Sequence, residues 1–144
     1  MDARWLIDPD GIRKITGSFS WIDHRFISGG FIRNLSREEI LIYLFLVAVA
    51  DRQGLSFYHD DRICSLLKID LASLGEARES LVERSLIAWR SPVYQVLALP
   101  SQPMDPLSPE ERVLRQRRLQ ITHHPVLLSR YVLLPIHILL FTPL

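Results

Sequence analysis

The sequence predicts a mainly α-helical domain with a small β-hairpin, which is an α+β fold. Ser36 precedes Glu39 by three residues at the front of an apolar run, and this spacing is typical of a capping box at the start of a helix. Asp70 is a good cap for a later helix. Residues 93–97 are mostly strand formers and follow a turn at 90–92, so a hairpin is expected after the helices.

The composition fits one globular domain of ordinary size. The chain has 144 residues, of which 48% are hydrophobic and 23% are charged. Its formal net charge is +1, so no overall field attracts it to nucleic acid or to an anionic membrane. The single cysteine, Cys64, excludes an internal disulfide and a zinc site built from several cysteines. No apolar run follows a basic N-terminus, so the cytoplasm is the expected location.

Residues 1–19 are expected to form an extended arm, because a proline and two glycines interrupt regular structure there. The apolar side chains that can anchor this arm to the core are Trp5, Leu6 and Ile7. A short helix is predicted at about 21–28, with Ser20 as its cap and the pair Gly29-Gly30 as its end. A strand is the alternative for this segment.

The apolar run from Ile40 to Ala50 is predicted to be a helix at the centre of the domain, because a helix that is apolar on all sides needs to be buried. It is too short to span a membrane, which takes about 20 residues. A buried strand is the alternative. Residues 55–57 fit a short strand, residues 60–67 a helix of two turns, and residues 68–69 a turn.

The predicted order over residues 36–99 is helix, short strand, helix, turn, helix and hairpin, which is the order of a winged helix-turn-helix domain. The stretch from Leu35 to Leu99 resembles the winged helix-turn-helix domains of bacterial plasmid, phage and mobile-element proteins, including replication initiators and primosome components. The resemblance lies in "ADRQGLSFYHDDRICSLLKI" and in "RSLIAWR", which leads into the hairpin, or wing. The segments "RWLIDPDG", "FSWIDHRF" and "YQVLALP" are similar to parts of short helix-turn-helix proteins encoded beside insertion sequences.

This resemblance implies binding to double-stranded DNA in replication, in transposition or in its regulation. It also implies that Ser73 and Glu76 face the groove and that Arg90 belongs to the wing. The helix over 71–85 has an unusual outer face, however. Projected at 100° per residue with its apolar stripe inward, it turns its carboxylates to the outside, namely Glu76, Glu79 and Glu83.

Carboxylates oppose insertion of the whole helix into DNA, because affinity depends on neutralising phosphates. Glu76 alone can still accept from a cytosine amino group. A solvated face without a function is the other interpretation of these glutamates. The alternative function is a non-catalytic protein–protein adaptor whose acidic face meets a basic partner, and a homodimer is also open.

Four cations are predicted to contact phosphates around that helix, and they are Arg37, Arg62, Lys68 and Arg90. Scattered surface cations give the same pattern in a sequence. Two further phosphate contacts, Arg115 and Arg118, are expected on a basic helix near the C-terminus. Ser108 caps this helix and Pro109 takes its first position.

Four parts of the chain are therefore expected: an N-terminal arm over 1–19, the winged helix-turn-helix domain over 20–99, a proline-rich linker over 100–109, and a basic helix with an apolar tail over 110–144. Polar residues and a proline interrupt the tail after residue 126, so a membrane anchor is not expected. Packing on the domain, contact with a partner, or an extension without a function all fit this tail.

Catalysis, a cofactor and a metal are not expected. His59 and Cys64 are five residues apart, whereas a helix brings together side chains three or four apart, so Cys64 is expected to pack inside the domain. His123 and His124 are adjacent and point in different directions on a helix or a strand. The sequence contains no glycine-rich phosphate loop and no GxSxG or HExxH motif, so the protein is expected not to be an enzyme.

Overall fold

The computed structural model describes residues 6–122, and the chain divides into two compact units, Met1–Pro106 and Leu107–Leu144. The described elements of the first unit are α1 (Arg25–Ser28), a 3-10 helix (Phe31–Asn34), α2 (Arg37–Val49), β1 (Leu55–Ser56), α3 (Asp60–Leu67), α4 (Leu71–Glu83), β2 (Ile87–Arg90) and β3 (Val93–Val96). The second unit contains α5 (Pro109–Thr122). The predicted α+β class is confirmed at this level: helices and one small antiparallel sheet.

Side-chain caps fix the starts of the two long helices of the first unit. The Glu39 N–H donates to the Ser36 hydroxyl oxygen at 3.1 Å, and the Ser36 N–H donates to the Glu39 carboxylate at 2.7 Å. This is the predicted capping box, and it satisfies two amides that have no partner within α2. Asp70 accepts from the Ser73 N–H at 2.8 Å at the start of α4. The apolar run at 40–50 is therefore a helix, and its alternative as a strand is wrong.

The three strands form an antiparallel sheet in the order β1-β3-β2. The hairpin of β2 and β3 pairs Arg90 with Val93 across the turn, and it pairs Trp89 with Tyr94. The short β1 pairs with β3 through only two positions, Leu55 with Gln95 and Ser56 with Tyr94. The turn end of the hairpin, at Arg90 and Val93, is therefore not paired with β1.

The turn from α2 into β1 depends on a carboxylate and a glycine. Asp51 accepts from the N–H groups of Gln53 and Leu55 at 2.8 and 2.9 Å. Gly54 has φ +83°, and a Cβ at this position would collide with the Val96 carbonyl oxygen. Only glycine therefore fits this turn without strain.

The core lies where α2, α4 and the sheet meet, and α3 packs against α4. Its fully buried aliphatic side chains each contribute about 1.5–3 kcal/mol by leaving water. They are Ile42, Leu46, Ile63, Leu74, Leu81, Leu86 and Ile87. Helix α2 is not covered on every side within the described part of the chain, since Leu41 is exposed, so the expectation of burial all round is wrong.

The region before α2 differs from the prediction in two respects. The helix expected at about 21–28 is a single turn, Arg25–Ser28, and His24 rather than Ser20 takes its N-cap position. The Ser20 hydroxyl instead donates to the Ala48 carbonyl oxygen near the end of α2, at 3.0 Å. Leu6 and Ile7 are exposed and do not anchor the arm, while Trp5 lies outside the described residues.

In the second unit, α5 starts as predicted. The Ser108 N–H donates to the Glu111 carboxylate at 2.8 Å, the Glu111 N–H donates back to the Ser108 hydroxyl at 3.3 Å, and Pro109 is the first helical residue. The predictions for His123, His124 and the apolar tail fall outside the described residues. Over residues 6–122, no helix has both the length and the apolar character needed to cross a membrane.

Candidate nucleic-acid interface

The turn between α3 and α4 is short because Lys68 adopts a left-handed conformation, φ 56°, directly after α3. The Ile69 N–H then donates to the Cys64 carbonyl oxygen at 3.2 Å, which closes the end of α3. Asp70 caps α4 in the next position. The end of α3 and the start of α4 are thus held next to each other, with the Lys68 side chain exposed between them.

The predicted phosphate contacts of the first unit lie on separate elements, and all four are exposed. Arg37 is the first residue of α2, and Arg62 lies in the first half of α3. Arg90 ends β2, beside the hairpin turn. None of these four cations lies on α4 itself.

The predicted groove-facing residues differ in their freedom to contact a ligand. Glu76 is exposed on α4. Ser73 is half-buried, and its hydroxyl donates to the Asp70 carboxylate at 2.8 Å as part of the helix cap. The Ser73 hydroxyl can thus offer a base only its acceptor lone pairs, so its first role is in the cap.

The predicted acidic face is smaller than expected. Glu76 and Glu79 are exposed, but Glu83 is only 4% exposed, so its assignment to the outer face is wrong. The helical projection assumes that α4 packs on one side only. At its end α4 is covered further, since the neighbouring Arg84 donates to the carbonyl oxygens of Asn34 and Met104 at 2.9 and 3.1 Å.

The side chain that connects α4 to its surroundings is Arg78, and sequence reasoning assigned it no role. One guanidinium nitrogen lies 2.7 Å from Asp60 Oδ2 on α3 and donates to the Tyr94 hydroxyl on β3 at 2.8 Å. The Tyr94 hydroxyl donates to the other Asp60 oxygen at 2.9 Å. The guanidinium carbon lies 3.8 Å from the centre of the Trp89 ring on β2. We call Asp60, Arg78, Trp89 and Tyr94 the Arg78 cluster.

Burial and hydrogen bonding both shift the pKa values in this cluster, and for Asp60 they act in opposite directions. Burial raises the pKa of the Asp60 carboxyl, but the hydrogen bonds from Arg78 and Tyr94 outweigh it, so the pKa lies below its ordinary value. Burial raises the pKa of the Tyr94 hydroxyl to about 12. At neutral pH the cluster therefore contains a carboxylate, a guanidinium and a neutral phenol, which is the set its hydrogen bonds require.

Part of this cluster was accessible from the sequence. A two-residue turn after Arg90 places Trp89 opposite Tyr94, on one face of the hairpin. The projection of α4 also places Arg78 beside the apolar stripe, where an arginine can reach a neighbouring element. The position of Asp60 relative to these residues depends on how α3 packs on α4, and no local pattern contains that information.

The remaining candidates contribute no further site in the described residues. Cys64 is partly buried against the core, as predicted, and burial raises the pKa of its thiol. Among residues 6–122, no group of three or more His, Cys, Asp or Glu side chains is arranged to hold a metal ion. In the second unit, Arg115 is half-buried and Arg118 exposed on α5.

Comparisons with protein-family models, with curated proteins and with solved structures find no match for this chain.

Proposed function

We propose that residues 20–99 form a winged helix-turn-helix domain that binds double-stranded DNA in the replication, transposition or regulation of a bacterial mobile element. The observation that supports this most is the α3-turn-α4 pair followed directly by a β-hairpin. Strand β1 pairs with that hairpin, and α2 packs on α4. This is the order and the pairing that a winged helix-turn-helix domain requires.

The charges on α4 favour a shallow mode of contact. Glu76 and Glu79 are exposed along the helix and would repel the phosphates of a duplex that surrounds it. Entry of the N-terminal end alone brings Ala72, Ser73 and Glu76 to the bases and leaves Glu79 outside. The affinity then comes from exposed cations on the neighbouring elements, namely Arg37, Arg62, Lys68 and Arg90.

The experiment that tests this function is a titration of labelled duplex DNA of mixed sequence with the full chain, at low and at physiological salt. Circular dichroism of the same sample establishes that the protein is folded. We expect binding that weakens as salt rises, because contacts to phosphates release counterions. A folded protein that binds duplex at neither salt concentration contradicts the proposal.

A second candidate function is a protein–protein adaptor in which α4 meets a basic partner. The observation that favours it is that α4 exposes two carboxylates three residues apart, Glu76 and Glu79, so both lie on one face of the helix. A face with two carboxylates suits a basic partner helix better than it suits a phosphate backbone.

The double variant Glu76→Gln with Glu79→Gln separates the two functions, because it removes charge and keeps shape. If the glutamates only repel phosphate, affinity for duplex rises. If they form a docking surface, capture of a lysine-rich amphipathic peptide falls. If the double variant captures the peptide as well as the wild type does, the adaptor function is contradicted. The control is Glu38→Gln, which removes the charge of an exposed glutamate on α2.

A further inference from the structure

We infer that Arg78 is a positioning residue that holds the hairpin at a fixed distance from α4, so that the hairpin turn and the N-terminal end of α4 meet the same duplex. This inference rests on the proposed DNA-binding function. Its basis is that one guanidinium contacts three other elements: α3 through Asp60, β3 through Tyr94 and β2 through Trp89.

The turn of the hairpin lies beyond the part of β3 that pairs with β1. Strand β1 reaches β3 only at Gln95 and Tyr94, so the pair Arg90–Val93 lies beyond the last position that β1 covers. Trp89 and Tyr94 form the cross-strand pair next to Arg90–Val93. Arg78 contacts both of these aromatic side chains. Beside the burial of Tyr94 in the core, the Arg78 guanidinium is therefore a side-chain connection between this part of the hairpin and the two helices α3 and α4.

Arginine suits this set of contacts because it combines a charged donor nitrogen with a planar face. Its planar guanidinium donates in its plane to Asp60 and Tyr94, while its face lies on the Trp89 ring. A lysine ammonium can donate to Asp60 and Tyr94, because a single nitrogen makes both bonds, but it has no planar face to place on the Trp89 ring. Arg78→Lys thus changes position with little change of charge.

Arg78 is not expected to neutralise a phosphate itself. Its side chain is only 15% exposed and is paired with the Asp60 carboxylate. Removing it should weaken DNA binding at every salt concentration without changing the salt slope, because the number of phosphate contacts stays the same. Loss of a true phosphate contact, such as the one proposed for Arg90, should flatten that slope by roughly one unit.

The first test needs no DNA and therefore separates the inference from the proposed function. In a Cys64→Ser background, nitroxide labels are attached at Glu76→Cys on α4 and at Ser91→Cys in the hairpin turn, and the distance between them is measured by pulsed spin resonance. We expect one narrow distribution with Arg78 present and a clearly broader or shifted one in Arg78→Lys. An unchanged distribution overturns the inference, whatever the DNA measurements give.

The second test is a cycle on duplex DNA with Arg78→Lys, Arg90→Ala and the double variant. Arg78→Lys should weaken binding by about tenfold with the salt slope retained, and by clearly less when Arg90 is already absent, because both changes act through the hairpin turn. A general loss of stability would add equally in both backgrounds. Equal effects in the two backgrounds, or a flattened slope in Arg78→Lys alone, overturn the inference. Failure of every variant and of the wild type to bind DNA contradicts the proposed function while the label distances still decide the role of Arg78.

Discussion

Asp60 is the residue whose protonation most directly tests the Arg78 cluster. Its pKa lies below the ordinary value in the folded protein, because the hydrogen bonds from Arg78 and Tyr94 outweigh the effect of burial. A carboxyl whose pKa is lowered in the folded state stabilises the fold at pH values above the pKa that the same group has in the unfolded chain. For aspartate that unfolded-state pKa is about 3.9. That stability is lost as the pH falls through the lower, folded-state value.

We predict that Asp60→Asn lowers the free energy of unfolding by about 1–2 kcal/mol at pH 7, because it weakens charge-assisted hydrogen bonds in a partly buried site. The difference from the wild type should shrink as the pH falls below about 4. Urea unfolding at pH 7 and at pH 3 measures both values. Asp61→Asn, an exposed neighbour in the first turn of α3, is the control and should change stability less. If Asp60→Asn lowers the free energy of unfolding by the same amount at both pH values, the Asp60 carboxylate does not have this stabilising role.

The sequence predicted local contacts well at the scale of single residues and failed where packing decides. The caps at Ser36 and Asp70 join residues three apart, so their spacing alone contains the geometry. Glu83 was placed on the wrong side because the projection of α4 contains no information on what covers the end of that helix. Arg78 was missed as a site residue because its partners come from three elements distant in sequence.

At the scale of elements, helix α4 depends on its cap. Asp70 accepts from the Ser73 N–H and from the Ser73 hydroxyl, both at 2.8 Å, and these bonds lower the pKa of its carboxyl. We predict that Asp70→Ala lowers the free energy of unfolding, because the first turn of α4 loses its side-chain cap. Thermal or urea unfolding at neutral pH measures the change.

Asp70→Asn is the matched control for this prediction, because asparagine caps a helix about as well as aspartate. It should retain most of the stability that Asp70→Ala loses. If alanine and asparagine at this position cost the same, the side-chain cap does not determine the start of α4.

The elements themselves were predictable in proportion to their local patterns. The end of α3 and the two strands of the hairpin follow turn and strand-forming residues, and they lie within a residue or two of the prediction. The helix expected at 21–28 is shorter, and the Ser20 hydroxyl bonds to the Ala48 carbonyl instead of capping it. That contact joins residues 28 positions apart, and the sequence gives no indication of it.

At the scale of the whole molecule, the chain has two units, and the proposal assigns DNA contact to the first. The segment before Leu107 takes part in that unit, since Met104 accepts from Arg84 and Pro100 accepts from Arg25. A truncation that tests the assignment should therefore end at Pro106, so that the carbonyl of Met104 is kept. The competing assignment is the basic helix α5, with Arg115 and Arg118.

The measurement that tests DNA contact by the first unit most directly is the salt dependence of binding to two unrelated duplexes. Four proteins are compared: the full chain, the chain ending at Pro106, Arg90→Ala and Arg52→Ala. Arg52 is the control because it lies far from the hairpin turn. It precedes Gly54, whose carbonyl oxygen accepts from the Val96 N–H at the opposite end of the hairpin from Arg90. We predict that the shortened chain keeps most of its affinity and that Arg52→Ala changes little. Arg90→Ala should weaken binding similarly on both duplexes and flatten the salt slope by roughly one unit. If the shortened chain loses all binding while Arg90→Ala binds DNA as the wild type does, DNA contact by the first unit is contradicted. DNA binding would then be assigned to residues 107–144.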